Sequence, residues 1–311
     1  MKHFLTLKDI TADELAFLID KGIEIKQSSE AFAQSLARKT LLMVFAKPSL
    51  RTRVSFEVGM TQLGGHAIYY DVSTSPMGKK ENIADTARTA SRMVDIVMAS
   101  LFEHSDIEEF ANNSSVPVIN ALTNFSHPCQ ILADLMTIKE KRGALAGLKL
   151  AYLGDGNNNV AHSLMYGGAM SGMRIFIASP DDKRYAPKSQ VVAEARELAK
   201  QNSAEIVLTT SPEEAVENAD VIYTDSWMSY HIGEDERLER MRVFVPYRVT
   251  QQFMQLANAD AVFMHCLPAQ RGVEVSAEVI DGEHSIVFDE AENRLHAQKA
   301  LILFLLGIIK P

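Results

Sequence analysis

Short apolar runs alternate with longer helical patterns along nearly the whole chain, and that alternation leaves few folds open. Thr11 and Glu14 form a capping-box pattern that opens a helix to about residue 26, with Leu15, Leu18, Ile19, Ile23 and Ile25 as its apolar stripe. The run at 40–45 reads as a buried strand, and 66–72, 95–99 and 116–120 read as further strands. Helical patterns follow them, ending at Gly64-Gly65 and spanning 82–93, 105–112 and 127–141. After Gly143 and Gly147 the rhythm restarts, with strands expected at 148–153, 174–178, 205–209, 221–224, 261–264 and 285–288 and a last helix at 294–306. Strand–helix alternation of this kind predicts an α/β fold of two doubly wound parallel-sheet domains. At 311 residues the chain exceeds a usual single core. The domains are expected at 1–142, completed by a C-terminal helix at 293–311 packing back on the first domain, and at 143–292. Ligands of such sheets gather at the carboxyl ends of strands, so an active-site cleft between the domains is expected.

One strand-to-helix junction carries the clearest chemistry. Residues 47–57 read Lys-Pro-Ser-Leu-Arg-Thr-Arg-Val-Ser-Phe-Glu, directly after the run 40–45. A helix start offers unpaired N–H groups and the positive end of a dipole. Ser49, Arg51, Thr52 and Arg53 there would make an anion site. The net charge of −9 argues against nucleic acid as a partner, while a small anion needs only a local positive pocket. Two cysteines, Cys129 and Cys266, build no disulfide framework and fit a reducing, cytoplasmic setting. The start of the chain has no long apolar segment of a secretory leader, and the apolar stretch 300–309, interrupted by Gly307, is too short to span a bilayer. No membrane association is expected.

Further polar clusters follow the expected strands: 124–130, 157–159, 225–231 and 265–272. The turn Gly154-Asp-Gly-Asn-Asn-Asn lacks the third glycine and the acidic ribose partner of a dinucleotide site, so no nicotinamide cofactor is expected. His127-Pro-Cys-Gln130 starts a helix, where an imidazole and an amide either cap it or meet a substrate oxygen. Cys266 is either a small buried thiol or a reactive one; its motif lacks a dedicated base. Neither a Cys-x-x-Cys nor a His-x-x-x-His pair occurs, and no metal is expected.

Taken in order, these segments resemble the aspartate/ornithine carbamoyltransferase family, and its ornithine branch most. The resemblance covers essentially the whole chain and is carried by Ser49 with Arg51-Thr-Arg53, His127-Pro-Cys-Gln130, Asp155 to Asn159, Asp225-x-Trp227-x-Ser229, His265-Cys-Leu-Pro268 and Glu292-Asn-Arg294. It implies a carbamoyl-phosphate-binding first domain, an amino-acid-binding second domain, a homotrimer or multiple of trimers, and no cofactor. By position, Ser49, Leu50, Arg51 and Thr52 would hold the phosphate. His127, Gln130, Thr52, Arg294 and the Leu267 carbonyl would surround the carbamoyl group and stabilise its oxyanion. Asn159, Asp225 and Ser229 would bind the amino-acid end of ornithine, with Asp225 and Cys266 positioning the δ-amine. The products would be citrulline and phosphate, as in arginine metabolism.

Three departures bear on the substrate. Leu50 stands where the family has Thr. Ser100 stands where it has an arginine that touches the donor; losing such a contact costs about 1.5–3 kcal/mol, roughly ten- to a hundredfold in affinity. Tyr230-His231 replace a Met-Gly pair beside the acceptor. They open two alternatives, a diverged carbamoyltransferase using another amine or donor and a catalytically silent paralogue. The loop 75–81 resembles one that aspartate carbamoyltransferases insert into a neighbouring subunit's site, and Lys79 or Lys80 would then bring positive charge to the donor.

Overall fold

The computed structural model describes residues 2–228 and 232–311. It divides into two compact units, Met1–Glu140 with Glu292–Pro311, and Lys141–Ala291.

The first unit runs α1 (Ala12–Gln27), β1 (Thr40–Phe45), α2 (Leu50–Gln62), β2 (His66–Asp71), α3 (Ile83–Ala90), β3 (Ile96–Ser100), α4 (His104–Asn112), β4 (Val118–Leu122) and α5 (Pro128–Arg142), whose last residues enter the second unit. The Thr11 hydroxyl accepts from the Glu14 N–H and the Glu14 carboxylate accepts from the Thr11 N–H, the expected capping box. The four strands lie parallel in the order β2-β1-β3-β4. β1 and β3 are buried along almost their whole length, as strands covered on both faces must be; the edge strand β2 is half open to solvent. β1 leads to β2 on one side and, after α3, to β3 on the other. The direction of winding therefore reverses between β1 and β3, and their carboxyl ends flank a topological switch point.

The second unit runs β5 (Lys149–Leu153), α6 (Asn159–Met170), β6 (Arg174–Ala178), α7 (Ser189–Gln201), β7 (Glu205–Thr209), α8 (Pro212–Val216), β8 (Val221–Thr224), α9 (Arg237–Phe244), α10 (Gln251–Leu256), β9 (Val262–Met264), α11 (Ala277–Ile280) and the first residues of α12 (Val287–Leu305). Its sheet is parallel, ordered β7-β6-β5-β8-β9, with the switch point between β5 and β8. Trp227, Phe244, Tyr185 and Phe263 fill its core.

One expected element is overturned. Residues 285–288 form no strand among the described residues: Ser285 makes a single bridge to Phe263, and Val287 already begins α12. So short an apolar run, Ile286 to Phe288, cannot tell a strand from a first helical turn. Here Asp289 and Glu290, placed in that turn, favour the helix through its dipole. The final helix accordingly starts at Val287 rather than 294, and its residues from Glu292 on belong to the first unit. No helix of the described residues is long and apolar enough to cross a membrane.

Candidate active site

In the first unit, β1 hands over to α2 through Lys47, Pro48 and Ser49. Ser49 is the N-cap in an extended conformation, without a side-chain capping bond. Thr52, in the first turn, is buried, Arg51 is half-buried and Leu50 is 74% exposed. Arg53 points away: its Nε pairs with Glu57 at 3.2 Å and its guanidinium lies over the Tyr69 ring. So Arg53, part of the expected anion cluster, belongs to the surface.

Arg294 of α12 gathers the other groups. Its Nη1 donates to Gln130 Oε1 at 2.6 Å and its Nη2 to Thr52 Oγ1 at 3.3 Å, although these residues lie 164 and 242 positions away in sequence. The Gln298 amide, turned so that its oxygen faces Arg294, accepts from Nε and Nη2 at 3.0 Å each. Gln130 Nε2 in turn donates to the buried Asp134 carboxylate at 2.8 Å. The chain thus fixes the guanidinium of Arg294 and the amide of Gln130 together, with only 2% and 1% of these residues exposed. His127, just before α5, is equally enclosed. Burial, and then the positive charges of Arg294, Lys47 and Arg51, hold its pKa well below the usual histidine value, so the imidazole is neutral at pH 7.

Ser100 closes β3 and is buried; its carbonyl accepts from the Ala46 N–H at 2.9 Å. Lys47, 7% exposed, lies at the same strand end. Its Nζ donates to the Leu101 carbonyl at 3.2 Å and sits 4.8 Å from the Phe102 ring centre. Burial pushes this ammonium down to about 8, against the opposing charge of Glu103. Lys79 and Lys80 sit on an exposed loop, where Lys79 Nζ donates to the Ser73 carbonyl at 2.8 Å.

The second unit brings a separate set together at the ends of β5, β8 and β9. Asp225, which follows β8, is 8% exposed. Its Oδ1 accepts from the Ser226 N–H at 2.7 Å and from Cys266 Sγ at 3.2 Å. Its Oδ2 accepts from Asn158 Nδ2 at 3.2 Å, and Asn158 also donates to the Tyr152 hydroxyl at 2.8 Å. Asn158 is the N-cap of α6, its side-chain oxygen accepting from the Ala161 N–H, and Asn159 is the first helical residue, 7% exposed. The Gly154–Asn159 turn therefore ends in an Asx-type cap that also holds Asp225.

Cys266 and Leu267 follow β9. Leu267 has φ +57° and is joined to Pro268 by a cis peptide. His265, fully buried, accepts the Leu267 N–H on Nδ1 at 2.8 Å, which leaves its proton on Nε2, 3.5 Å from the Glu274 carboxylate. The Glu290 carboxylate accepts from the His265 N–H at 3.0 Å and the Tyr223 hydroxyl at 3.1 Å. These contacts bind the turn to the unit's core and present Cys266 to Asp225. Asp225, His265 and Cys266 also place one possible ligand atom each within 4.8 Å of one another, a cluster that spacing along the chain hides. Ser229, Tyr230 and His231 lie outside the described residues.

Several supporting residues carry no local sequence signal. Asp134, Glu274 and Glu290 sit in ordinary helical or loop contexts, and the buried Arg240–Asp155 pair, which also fixes the Trp227 carbonyl, joins residues 85 apart. Asn158 had one, since an Asn just before an apolar helix is a capping pattern. Lys47 lay in plain view beside Ser49 and acquires its interest from burial alone.

Comparison with known proteins places these geometries. Residues 2–140 match the model for the aspartate/ornithine carbamoyltransferase carbamoyl-P binding domain, and residues 146–305 that for the Asp/Orn binding domain of the same family. An ornithine carbamoyltransferase of Anoxybacillus flavithermus is 52% identical over 309 residues, covering 98% of this chain and 96% of that protein. The solved ornithine carbamoyltransferase of Pyrococcus furiosus superposes with a TM-score of 0.94 at 46% identity, over 99% of this chain and 98% of that one. The Giardia lamblia ornithine transcarbamoylase gives 0.92 at 41% identity over 99% of each chain. With both halves of the chain matched and half of the residues identical to such a relative, the protein belongs to the aspartate/ornithine carbamoyltransferase family.

Proposed function

We propose that the chain transfers the carbamoyl group of carbamoyl phosphate to the δ-amine of L-ornithine, giving L-citrulline and phosphate. The observation that carries this reading is the Cys266–Asp225 contact at 3.2 Å, a thiol and a carboxylate placed to receive an amine. Several curated relatives of 45–52% identity carry the ornithine name, which favours ornithine over another acceptor.

In this reading the start of α2 binds the phosphate through Ser49, the Leu50 N–H, Arg51 and Thr52, with the helix dipole adding to the charge. Arg294, Gln130, Thr52 and neutral His127 meet the carbamoyl oxygen. Fixed donors stabilise the charge that develops there without having to reorganise. Asn159, Asp225 and Ser229 hold the amino-acid end, and Asp225 with Cys266 aligns the δ-amine, which attacks as the neutral base. The Leu267 carbonyl accepts from the carbamoyl amide. The new N–C bond forms, the C–O bond to phosphate breaks, and an amine proton leaves to the departing phosphate. No metal or cofactor enters the scheme. The assembly is a trimer or a multiple of trimers, and Lys79 or Lys80 of a neighbouring copy adds charge near the donor. Tyr230 lines the acceptor pocket. The setting is cytoplasmic arginine synthesis.

The test is direct. Purified protein with carbamoyl phosphate and ornithine should release phosphate and citrulline in equal amounts. Phosphate release with another amine, but none with ornithine, overturns the acceptor; no ureido product with any amine overturns the reading.

A further inference from the structure

Arg294 and Gln298 lie four residues apart on α12 and so share one face of it. Part of α12 packs directly on α2, where a Cβ at Gly59 would meet the side chains of Leu295 and Lys299 at 3.6 and 3.5 Å. Gln298 is 1% exposed, and its amide touches a charge on one side and α2 on the other. A guanidinium can only donate, so the amide oxygen must face Arg294, where it accepts from Nε and Nη2 at 3.0 Å each. The amide nitrogen then donates to Ser55 Oγ at 2.7 Å. Ser55 spends its one hydrogen on the carbonyls of Arg51, at 2.7 Å, and Thr52, at 3.2 Å, which leaves its oxygen lone pairs for the amide. Both neighbours therefore dictate the same orientation. The bonds run in one direction, from Arg294 through Gln298 and Ser55 to the Arg51 carbonyl. We propose that Gln298 is a positioning residue for the reaction. It holds the Arg294 guanidinium at a fixed place relative to the turn that opens α2, and so sets where the carbamoyl oxygen is met.

The contacts divide the work. Gln130 accepts from Nη1 at 2.6 Å and Thr52 from Nη2 at 3.3 Å. Gln298 instead takes Nε and Nη2 together, and a two-point contact fixes the plane of the group as well as its place. Arginine has a long, rotamer-rich side chain, so a donor already held in position loses less freedom when it meets a developing charge. Ser55 ties the same amide to the backbone of Arg51, a phosphate ligand in the proposed reading. One chain of bonds, all within the first unit, thus links the groups assigned to the two ends of the donor.

This inference rests on the carbamoyl-phosphate reading, and its test keeps the two apart. The probes are inorganic phosphate and phosphonoacetamide, a donor mimic with a methylene in place of the bridging oxygen. Only the mimic carries the amide that Arg294 would meet. Gln298→Met, Ser55→Ala, Arg294→Met and the Gln298→Met/Arg294→Met double variant are made in the full chain and titrated calorimetrically with each probe. Gln298→Met should raise the phosphonoacetamide Kd about tenfold and leave the phosphate Kd within about twofold. Its kcat should fall about ten- to a hundredfold, with little change in the ornithine KM. In the Arg294→Met background the same substitution should add little, because it acts through the guanidinium. The proposal is overturned if Gln298→Met shifts both probes alike or neither. It is equally overturned if the cost is as large without Arg294, which would mark a purely structural amide. Ser55→Ala removes the anchor of the amide on α2 and should raise the phosphonoacetamide Kd about threefold. Should Gln298→Met not fold, as melting would reveal, Ser55→Ala decides: an unchanged phosphonoacetamide Kd sinks the proposal. If the unaltered chain does not bind phosphonoacetamide, the carbamoyl reading fails, and a crystal structure of Gln298→Met then judges Gln298. A displaced guanidinium supports its hold on Arg294, and an undisplaced one overturns it.

Discussion

His127 is enclosed by protein and faces the positive charges of Arg294, Lys47 and Arg51, which all oppose its protonation. Its folded-state pKa is therefore depressed, and the folded chain binds fewer protons here than the unfolded chain. The stability tied to the neutral imidazole is present above the ordinary histidine value of 6.5. It is lost as pH falls below that value, where the unfolded chain takes up the proton. Melting temperatures of the unaltered protein and of His127→Gln, measured at pH 7.5 and 5.5, should show the unaltered protein losing more on acidification. Equal losses would show that the imidazole is not held neutral. At the proposed acceptor side the relevant contact is between Cys266 and Asp225. A thiol is a weak donor, so removing its bond to the carboxylate costs about 1 kcal/mol, and a somewhat larger effect follows if the thiol also aligns the amine. Cys266→Ala should raise the ornithine KM roughly tenfold while leaving the phosphate Kd within twofold. A shift in phosphate affinity as large as that in ornithine would contradict the assignment of Cys266 to the acceptor.

Among the elements, α2 depends on how it stops as much as on how it starts. Gly64 follows it with φ +80°, and a Cβ there would stand 2.7 Å from the Ala33 carbonyl oxygen. Gly64→Ala combines a left-handed conformation with a backbone clash, a penalty of about 2 kcal/mol. The melting temperature of the first unit should drop by roughly 4–8 °C; no drop in calorimetry would mean that the turn relaxes freely. The glycine pair that marks this stop was readable in advance, as were the strands β6, β7 and β8, because each is an apolar run bounded by polar turns. The run at 285–288 misled for the opposite reason. Its apolar residues end in Asp289-Glu290, and the deciding contacts of Glu290, with the His265 N–H and the Tyr223 hydroxyl, are remote in sequence. The candidate site divides the same way. Arg51, His127, Gln130, Asp225 and Cys266 announce themselves as polar residues at strand ends or helix starts, whereas Arg294 lies inside α12 and shows itself only through the motif Glu292-Asn-Arg294. Asp134 and Glu274 do not, since a carboxylate that orients another side chain has no required position along the chain. Arg53 shows the converse: a charge in the right motif whose helical phase turns it to Glu57 and solvent.

For the whole molecule, the chemistry is distributed between two compact units that each wind a parallel sheet around its own switch point. The first unit concentrates positive charge in Arg51, Lys47 and Arg294, whereas the second offers the Asp225 carboxylate, the Cys266 thiol and the Asn159 amide. In the proposed reading an anion and an amino acid are thus sorted by unit, although the chain as a whole is acidic, with a net charge of −9. A ligand that binds one folded unit stabilises that unit by mass action, by about 2.7 kcal/mol at a hundredfold excess over Kd. For amides that exchange only when the unit opens, this corresponds to roughly a hundredfold slower hydrogen exchange. Saturating phosphate should therefore slow exchange in β1, α2 and the start of α5, while β6 and β7 keep their unliganded rates. If phosphate instead protected the second unit, or both units alike, the anion would be bound elsewhere or the two units would open as one. Either result would detach the start of α2 from the role given to it.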